Sequence, residues 1–376
     1  MRIAQVAPFL PERPGGSVVY SSNLALELEK RGHEVDFFAP NFPPNGHRKY
    51  LGNHIPIHTS RCYGLMFGVN PLTFLTRELA KTPVDVLHAH SYVYMTSNQA
   101  ALVSRVTGRP FVLHIHGATY GRPSEMDRKT SAALYVKEKI YDRTLGRWTI
   151  DSADAIAAVS QFDLQQCREV FDVDESKLHL IPNAVDPQEF SPATGDAPDP
   201  PVVTYIGRLE PWKGAGSFLE IARLVRRDLP ETVFQIAGDG SLRREMEAAA
   251  ADLDGSVRFL GEVDHSRIAD ILRASSVLVL PSFIEGLPTV CLEALACGVP
   301  VVASETGGTS EVVLEGRTGY LCPAERPAAF AERVLAILHD PGLRQRMGRA
   351  GRALVEQGHS WGRVAELTER LYEQLV

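Results

Sequence analysis

The sequence predicts an α/β protein of two domains, each with a parallel sheet covered by helices on both faces. Its 376 residues exceed what a single hydrophobic core usually serves. Short apolar runs alternate with amphipathic stretches of helix length through both halves, which is the pattern of parallel sheets. Residues 182–201 contain six prolines among Asp, Gly and Ala, the composition of a linker. We therefore expect two Rossmann-like domains that face each other across a cleft and bind ligands at the carboxyl ends of their strands.

The apolar runs place the strands and divide the chain. In the first half the predicted strands are Ile3–Val6, Val35–Phe38, Val84–Leu87, Phe111–His114 and Ala155–Val159. In the second half they are Val202–Ile206, Val233–Ala237, Val257–Leu260, Val277–Leu280 and Val301–Ala303. Helical patterns cover Val18–Lys30, Ser217–Arg227 and Leu242–Ala251. The expected domains are residues 1–185 and 200–358.

Composition narrows the class of protein. A hydrophobic content of 44% and a charged content of 23% are those of a soluble globular protein, and the net charge of −7 argues against nucleic-acid binding. The five cysteines are odd in number and contain no Cys-x-x-Cys, which indicates reduced thiols. The chain opens on a predicted strand and has no apolar run of ~18 residues, the length that a membrane span needs. We expect a cytoplasmic protein.

Two glutamates with seven residues between them, Glu285 and Glu293, are the most informative local feature. Pro288 suits the first position of a helix, so Glu285 should lie on a loop and Glu293 about two turns into that helix, roughly 12 Å further along. The free N–H groups of a helix start lie between them and suit an anion. This arrangement fits a nucleotide-sugar, which has hydroxyls at both ends and phosphate in the middle. The alternative is a helix with one acidic residue at its start and another on a solvated face.

Three glycine-containing loops follow predicted strands. Gly15 and Gly16 open the first helix, where backbone amides can approach a phosphate closely. The segment Gly207–Gly214 adds Arg208 and Lys213, a guanidinium and an ammonium suited to a diphosphate. Gly238-Asp-Gly240 is an incomplete phosphate-binding fingerprint. Each loop by itself is also compatible with an ordinary turn.

The order of the motifs resembles glycosyltransferase family four, the retaining group 1 enzymes of the GT-B fold. The C-terminal motifs are Gly207-Arg-Leu with Lys213-Gly, Gly238-Asp-Gly, Glu285-Gly-x-Pro with Glu293, Gly298-x-Pro-Val-Val and Gly307-Gly-x-x-Glu311. The N-terminal ones are Gly15-Gly16, Val86-Leu-His-Ala-His-Ser91, His114-Ile-His-Gly117 and Ile181-Pro-Asn-Ala-Val-Asp186. The resemblance spans nearly the whole chain. It implies that the last helix, about residues 360–376, crosses back onto the N-terminal domain.

The resemblance implies a role for each matching residue. Arg208 and Lys213 would hold the donor diphosphate and neutralise its charge as it leaves, and Glu285 would contact the transferred sugar. Glu293 would accept hydrogen bonds from the ribose, and His116 would lie by the sugar and the acceptor hydroxyl. The implied donor-binding residues are Gly15, Gly16, Gly207, Arg258, Leu260, Gly286, Leu287, Pro288, Thr289, Val290 and Glu293.

The implied activity is that of a retaining hexosyltransferase. It moves a sugar from a nucleotide-diphosphate sugar, expected to be a UDP-sugar, to an acceptor hydroxyl that attacks on the face from which the diphosphate leaves. The acceptor is open among glycans, lipid-linked sugars and small molecules. No cofactor or metal is expected. The alternatives are a GT-B sugar epimerase, a trehalose-forming enzyme, or a non-catalytic subunit that binds nucleotide-sugars.

Four histidines in two His-x-His pairs raise the question of a metal site. His88 with His90, and His114 with His116, would each share one face of a strand. Zinc needs three or four ligands that converge on one point. The family pattern accounts for His90 and His116, and His88 and His114 fit a hydrophobic core, so we expect no metal here.

Two further segments leave alternatives open. Asp172-Val-Asp174 resembles the metal-binding Asp-x-Asp of the other main glycosyltransferase fold, but it lies in a polar stretch and is expected to be a solvated loop. Residues 122–148 are rich in Lys and Arg with interspersed aromatics. They are either a solvated helix or an interfacial helix that makes peripheral contact with anionic lipid at the inner membrane face.

Overall fold

The protein is described by a computed structural model over residues 1–13, 15–43, 49–66, 70–117, 135–195 and 198–376. Within these residues the chain forms two compact units. The first holds residues 1–117, 135–183 and 361–376, and the second holds residues 184–360. Each unit has its own sheet and its own hydrophobic core.

The first unit is built on an eight-stranded sheet in the order β10-β9-β8-β7-β1-β2-β4-β3. Its neighbouring strands are parallel except for β3, which pairs antiparallel with β4. The strands of this unit are β1 (Arg2–Val6), β2 (Glu34–Asn41), β3 (Tyr50–Leu51), β4 (Ile55–Arg61), β5 (Leu65–Met66), β6 (Asn70–Pro71), β7 (Val86–His90), β8 (Phe111–Ile115), β9 (Ala155–Ala158) and β10 (Leu178–Leu180). The pair β5–β6 forms a separate small hairpin. The helices here are α1 (Gly16–Lys30), α2 (Thr76–Lys81), α3 (Met95–Thr107), α4 (Leu145–Asp151) and α5 (Gln161–Phe171), with a π-helical turn at Lys137–Tyr141.

The second unit has a six-stranded, wholly parallel sheet in the order β13-β12-β11-β14-β15-β16. Its strands are β11 (Val202–Ile206), β12 (Val233–Ala237), β13 (Val257–Gly261), β14 (Val277–Leu280), β15 (Val301–Ser304) and β16 (Gly319–Cys322). Its helices are α6 (Ala215–Asp228), α7 (Arg243–Ala249), α8 (Ile268–Arg273), α9 (Thr289–Ala296), α10 (Pro327–His339) and α11 (Pro341–Gly358). The central strands are buried on both faces, which explains their continuous apolar sequence.

The last helix, α12 (Trp361–Leu375), belongs to the first unit and packs against α1. Its buried face carries Val364, Leu371 and Tyr372. Arg31, at the end of α1, donates two hydrogen bonds to the carboxylate of Glu369 on α12. A helix from the far end of the sequence therefore completes the core of the first unit.

Strand β7 differs from its predicted position. The apolar pattern predicted Val84–Leu87, whereas the strand runs Val86–His90 and all five of its residues are buried. The apolar run ends at Leu87, but the strand continues through His88 and His90, whose rings pack and hydrogen-bond inside the core. None of the helices in the described part of the chain is long and apolar enough to cross a membrane.

Candidate active site

The candidate site of the second unit lies at the carboxyl ends of its strands. Strand β11 is flanked by β12 on one side and β14 on the other, so the strand order changes direction there. Loops that leave such a switch point diverge and open a crevice for a ligand. The motif loops that follow β11, β12, β14 and β15 all emerge at this edge of the sheet.

Glycines join these loops to one another. A Cβ on Gly238 would lie 1.9 Å from the carbonyl oxygen of Gly207, and one on Gly214 would lie 1.9 Å from that of Pro281. Gly307 stands equally close to the carbonyl oxygen of Glu285. All three contacts are far below any real Cβ separation, so only glycine fits. These glycines therefore serve loop-to-loop packing, whereas the sequence suggested only a phosphate-binding turn for Gly238.

Lys213 and Glu285 form an ion pair across the switch point. The Nζ of Lys213 lies 2.7 Å from Oε1 of Glu285, and their side chains are 22% and 10% exposed. Lys213 follows β11 and Glu285 follows β14, so the pair links the two diverging loops. The amide of Phe283 donates to the carbonyl of Trp212 and supports the same junction. An ammonium has three N–H donors, so Lys213 keeps donors for a second anion.

Arg208 is exposed on the same loop. Its guanidinium carbon lies 5.6 Å from the ring centroid of Trp212, within the range of a cation–π contact. The loop under it is fixed by the buried Tyr205, whose hydroxyl donates to the backbone carbonyls of Arg208 and Lys213. The strand thus holds the backbone of both cationic residues while the Arg208 side chain stays accessible.

Helix α9 places Glu293 closer to the loop than expected. The helix begins at Thr289 with Pro288 as its N-cap residue, so Glu293 is the fifth helical residue. That is just over one turn in, about 6 Å from Thr289 along the axis, whereas the sequence predicted two turns and Pro288 inside the helix. The physical reason is that Pro288 has extended backbone angles, φ −71° and ψ 109°.

His265 is the partner of Glu293. Its Nε2 lies 2.9 Å from Oε1 of the nearly buried Glu293 carboxylate, and this contact raises the pKa of His265 above its usual value. The ring packs edge-on against Phe190. Sequence reasoning missed His265, since a single histidine in a polar loop gives no signal until the fold brings it to α9.

The other expected donor-binding residues of this unit lie at two places. Arg258 and Leu260 are exposed on β13, the edge strand, and as alternate residues they point to the same side. The loop before α9 and its first turn hold the remainder: Gly286, Leu287, Pro288, Thr289 and Val290. The Gly286 carbonyl accepts a hydrogen bond from Gly308, which ties this loop to the one after β15.

Gly15, Gly16 and His116 belong to the first unit. Gly16 begins α1, and the Gly15 carbonyl accepts the amides of Val18 and Val19. A Cβ on either glycine would meet no atom within 4 Å, so the space beside them is open. His116 comes directly after β8 and is partly exposed. The structure therefore places these three at the carboxyl ends of β1 and β8.

Behind His116 lies a buried cluster of aromatic and polar side chains. His114 stacks on His116 with ring centroids 4.5 Å apart, and it also stacks on His88 at 5.4 Å. His90 Nδ1 lies 2.9 Å from His116 Nε2. Tyr20 of α1 packs edge-on against the rings of His114 and His116. Gln5 of β1 and Tyr372 of α12 hydrogen-bond within the same cluster. Its members therefore come from β1, β7, β8, α1, α12 and the residue after β8.

Burial keeps these histidines neutral. Desolvation lowers the pKa of His114 from 6.5 to about 3. It also lowers the pKa of His88, His90 and His116 well below the usual value, with further lowering from neighbouring histidines. At neutral pH each ring therefore has one N–H donor and one lone-pair acceptor.

Three of these histidines, His88, His90 and His114, are close enough together to suggest a metal site. All six of their ring nitrogens, however, already have hydrogen-bond partners. Their rings stack within 10° to 27° of parallel, whereas ligands of one ion point their lone pairs at a common centre. The cluster fits a hydrogen-bonded core better than a zinc centre.

The two open segments have different outcomes. Asp172 is the left-handed C-cap of α5, and Asp174 caps the following turn by accepting from Ser176. This is the solvated loop that was expected.

Of the basic stretch 122–148, residues 122–134 lie outside the described part of the chain. In the remainder Lys137 is paired with Asp142, and Arg147 with Asp151.

Two family models and several known proteins match the chain. The model of Glycosyltransferase Family 4 matches residues 14–189, and that of Glycosyl transferases group 1 matches residues 186–354. The glycogen synthase of Mycobacterium tuberculosis is 30% identical over 295 residues, covering 77% of this chain and 68% of that protein. Among solved structures, sucrose-phosphate synthase from Thermosynechococcus elongatus has a TM-score of 0.80 at 24% identity, covering 100% of this chain and 98% of that one.

A second structural neighbour was solved with a nucleotide. Anabaena HepE in complex with UDP has a TM-score of 0.78 at 19% identity, and the match covers 100% of both chains. At this identity the likeness concerns the fold. The two family models and the glycogen synthase match confirm the family and the transferase activity expected from the sequence, and the structural neighbours confirm the GT-B fold. The chain belongs to glycosyltransferase family 4, as a group 1 glycosyltransferase.

Proposed function

We propose that this glycosyltransferase moves a sugar from a nucleotide-diphosphate donor, most specifically a UDP-sugar, to an acceptor hydroxyl with retention of configuration. The Lys213–Glu285 ion pair across the switch point carries the proposal. A carboxylate and an ammonium that are fixed 2.7 Å apart can contact the two groups on either side of the breaking bond, the sugar and the phosphate. Lys213 faces the departing phosphate while Glu285 receives a hydroxyl of the sugar.

Arg208 completes the charge balance. A diphosphate that leaves an anomeric carbon gains negative charge, and preorganised cations stabilise that charge without having to reorganise during the reaction. Arg208 is exposed and its backbone is held by Tyr205, so its guanidinium can close on the phosphate. The amides of Thr289 and Val290, at the start of α9, are the further donors proposed for the phosphates.

Glu293 and His265 are assigned to the nucleoside. His265 occupies Oε1 of Glu293, so a ribose hydroxyl would donate to Oε2. The exposed Arg258 and Leu260 on β13 would flank the base. His116 is assigned to the sugar and the acceptor hydroxyl, and Gly15 and Gly16 to the phosphates.

The donor assignment to UDP is supported by the HepE structure, which was solved with UDP. A thermal-shift screen of UDP-, GDP- and ADP-sugars tests it, because a ligand that binds only the folded state stabilises it by about 2.7 kcal/mol at 100 times Kd. We expect the UDP series to give the largest rise in Tm. A larger rise with GDP- or ADP-sugars would overturn the choice of base.

Transfer itself is tested by incubating the preferred donor with glycan, lipid-linked and small-molecule acceptors. We expect a new glycoside whose anomeric proton coupling, read by NMR, matches that of the donor. An inverted product would contradict retention. Release of a free epimerised sugar would contradict transfer.

We also propose that catalysis needs no metal ion, since Arg208 and Lys213 supply the positive charge that a divalent cation supplies elsewhere. Activity after dialysis against EDTA should equal activity with added Mg²⁺ or Mn²⁺. A loss of more than about tenfold that Mg²⁺ or Mn²⁺ restores would overturn this part of the proposal.

A further inference from the structure

A hydrogen-bonded chain of buried side chains leads from the core of the first unit to His116. It runs through His114, His88, Tyr372, Gln5 and His90. All five of these side chains are fully buried, and His116 is the member that reaches the surface. The chain joins β1, β7 and β8 to α12, so one of its links spans 367 residues of sequence.

The direction of every hydrogen bond follows from one backbone carbonyl. The carbonyl oxygen of Ile181 lies 3.2 Å from Nε2 of His114 and can only accept, so the proton of neutral His114 is on Nε2. Nδ1 of His114 is then an acceptor, and His88 Nε2, 3.3 Å away, must donate to it. This leaves Nδ1 of His88 as an acceptor, 2.6 Å from the hydroxyl of Tyr372. The Tyr372 proton is therefore committed to His88.

The second half of the chain follows from this acceptor: the Nε2 amide of Gln5 also lies 3.4 Å from Nδ1 of His88, to which it can only donate. Because the Tyr372 hydroxyl donates its hydrogen bond to His88, its oxygen accepts one from the Nε2 amide of Gln5 at 3.2 Å. This fixes the orientation of the amide, so Oε1 of Gln5 faces His90 Nε2 at 2.7 Å and accepts its proton. Nδ1 of His90 is then an acceptor, and it receives the Nε2 proton of His116 at 2.9 Å.

We infer that Gln5, His88, His90 and Tyr372 are positioning residues that hold His116 as its neutral Nε2–H tautomer. Nδ1 of His116 is then a lone-pair acceptor with no proton to give. Such a group accepts a hydrogen bond from a hydroxyl, whereas it repels the oxygens of a phosphate. The ligand it selects is a hydroxyl of the donor sugar or of the acceptor, and this step rests on the proposed function.

The tautomers can be measured on the free, full-length protein. Nitrogen-15 NMR of histidine-labelled protein at pH 7.5 distinguishes a protonated ring nitrogen from one with a lone pair, and His→Gln variants assign the signals. We expect His88, His90, His114 and His116 each to be protonated on Nε2 alone. A His116 protonated on Nδ1, or on both nitrogens, would overturn the inference whatever the activity of the enzyme.

The positioning role is tested with Gln5→Met. Methionine has a similar length and suits a buried site, but it can neither hold Tyr372 nor accept from His90. We expect mixed tautomers at His90 and His116 and a fall of about tenfold in kcat/KM, the loss of about one good hydrogen bond. The affinity for UDP should stay within about twofold, because UDP lacks the sugar. A rise in donor KM would identify a sugar hydroxyl as the ligand of His116, and a rise in acceptor KM would identify an acceptor hydroxyl.

A matched pair of variants on α12 separates hydrogen bonding from packing. Tyr372→Phe removes only the hydroxyl and frees the Gln5 amide to rotate. Thr368→Val, one turn earlier, removes a buried hydroxyl that donates within the helix to the carbonyl of Val364. We expect mixed tautomers and lower kcat/KM in Tyr372→Phe, with Thr368→Val like the wild type. Equal kcat/KM in Gln5→Met, Tyr372→Phe and the wild type would overturn the positioning role. Absence of any transfer by the wild type would overturn the proposed function, and the NMR result would still decide the tautomers.

Discussion

Two cationic residues of one loop have different surroundings and therefore different expected phenotypes. Lys213 is paired with the nearly buried Glu285, so its removal would leave a carboxylate without its partner. Arg208 is exposed and contacts the ring of Trp212. A substitution of Arg208 should report on catalysis alone, whereas one of Lys213 mixes catalysis with folding.

We predict that Arg208→Gln lowers kcat by about 100-fold, the effect of removing one preorganised donor from a transition state. Its Tm should be unchanged, because the side chain is exposed. Arg227→Gln is the matched control, since Arg227 is an exposed arginine at the end of α6 in the same unit. Steady-state kinetics and thermal unfolding of both variants measure this. A kcat within threefold of wild type for Arg208→Gln would contradict the role in the leaving of the diphosphate.

Glu293 should act in binding and not in chemistry. Glu293→Gln replaces a charged acceptor by a neutral one, so we predict that the Kd for UDP rises about tenfold, since hydrogen bonds to charged groups are worth about 1.5–3 kcal/mol. The rate of the bound complex at saturating donor should change less than threefold. Calorimetric titration with UDP and saturation kinetics give the two numbers. Unchanged UDP affinity would show that Glu293 does not hold the ribose.

At the scale of residues, sequence motifs could single out the residues that are proposed to contact the ligand but not those that are proposed to orient them. Arg208, Lys213 and both glutamates were found because their spacing is local. His265 was missed, as were Gln5 and Tyr372, because each acquires its partner only through the fold. Gln5 and Tyr372 stand at opposite ends of the chain, and no local pattern links them.

At the scale of elements, glycine contacts hold the loops of the second sheet against one another. The geometry of the candidate site therefore depends on how these loops pack. The loop after β14 meets the loop after β15 where Gly307 packs on the carbonyl of Glu285. Gly308 donates to Gly286 at the same junction. The position of Glu285 therefore depends on a residue 22 positions later that touches no ligand in the proposed function.

We predict that Gly307→Ala damages both stability and donor binding. Its φ of +53° disfavours alanine by roughly 1–2 kcal/mol, and the Cβ would collide with the Glu285 carbonyl. Gly316→Ala is the control, with φ of +69° but no atom within 4 Å of the added Cβ. Both variants share the backbone penalty, so the difference between them reports the collision, expected at about 1–3 kcal/mol. Urea unfolding and UDP titration compare the two; equal losses would contradict the loop junction.

The strands at the switch point of the second sheet were predictable from the sequence, whereas the two-residue strands of the first unit were not. Strands β11, β12 and β14 coincide with the predicted ones, because a strand that is buried on both faces has a continuous apolar sequence. The two-residue strands β3, β5 and β6 are too short to show alternation. Strand β7 begins two residues and ends three residues later than predicted, because the buried network satisfies the hydrogen bonds of its polar half.

On the scale of the molecule, the histidine cluster makes the stability of the first unit depend on pH. The cluster contains no carboxylate among its hydrogen-bonded members, and the groups that face it from α1 and α12 are the phenols Tyr20 and Tyr372. Burial raises the pKa of both phenols, so neither supplies a negative charge. Among the described residues, a proton that enters the cluster would therefore find no hydrogen-bonded counter-ion.

The sign of the effect follows from linkage. In the unfolded chain each histidine titrates near 6.5, whereas in the folded unit the pKa of His114 is about 3 and those of His88, His90 and His116 are also well lowered. Above pH 6.5 both states are neutral and the free energy of unfolding is at its full value. As pH falls below 6.5 the unfolded chain binds protons that the folded chain excludes, so stability is lost.

We predict that the first unit loses stability steeply between pH 6.5 and 5, before carboxylates titrate. Each histidine contributes up to about 1.4 kcal/mol per pH unit, so four approach about 5 kcal/mol per unit. Trp212→Phe makes this measurable by fluorescence in urea, because the two remaining tryptophans, Trp148 and Trp361, both belong to the first unit. Adding His114→Leu should remove about one proton from the slope of the free energy against pH. A slope below one proton would show that the cluster is charged when folded, and would contradict the neutral chain that orients His116.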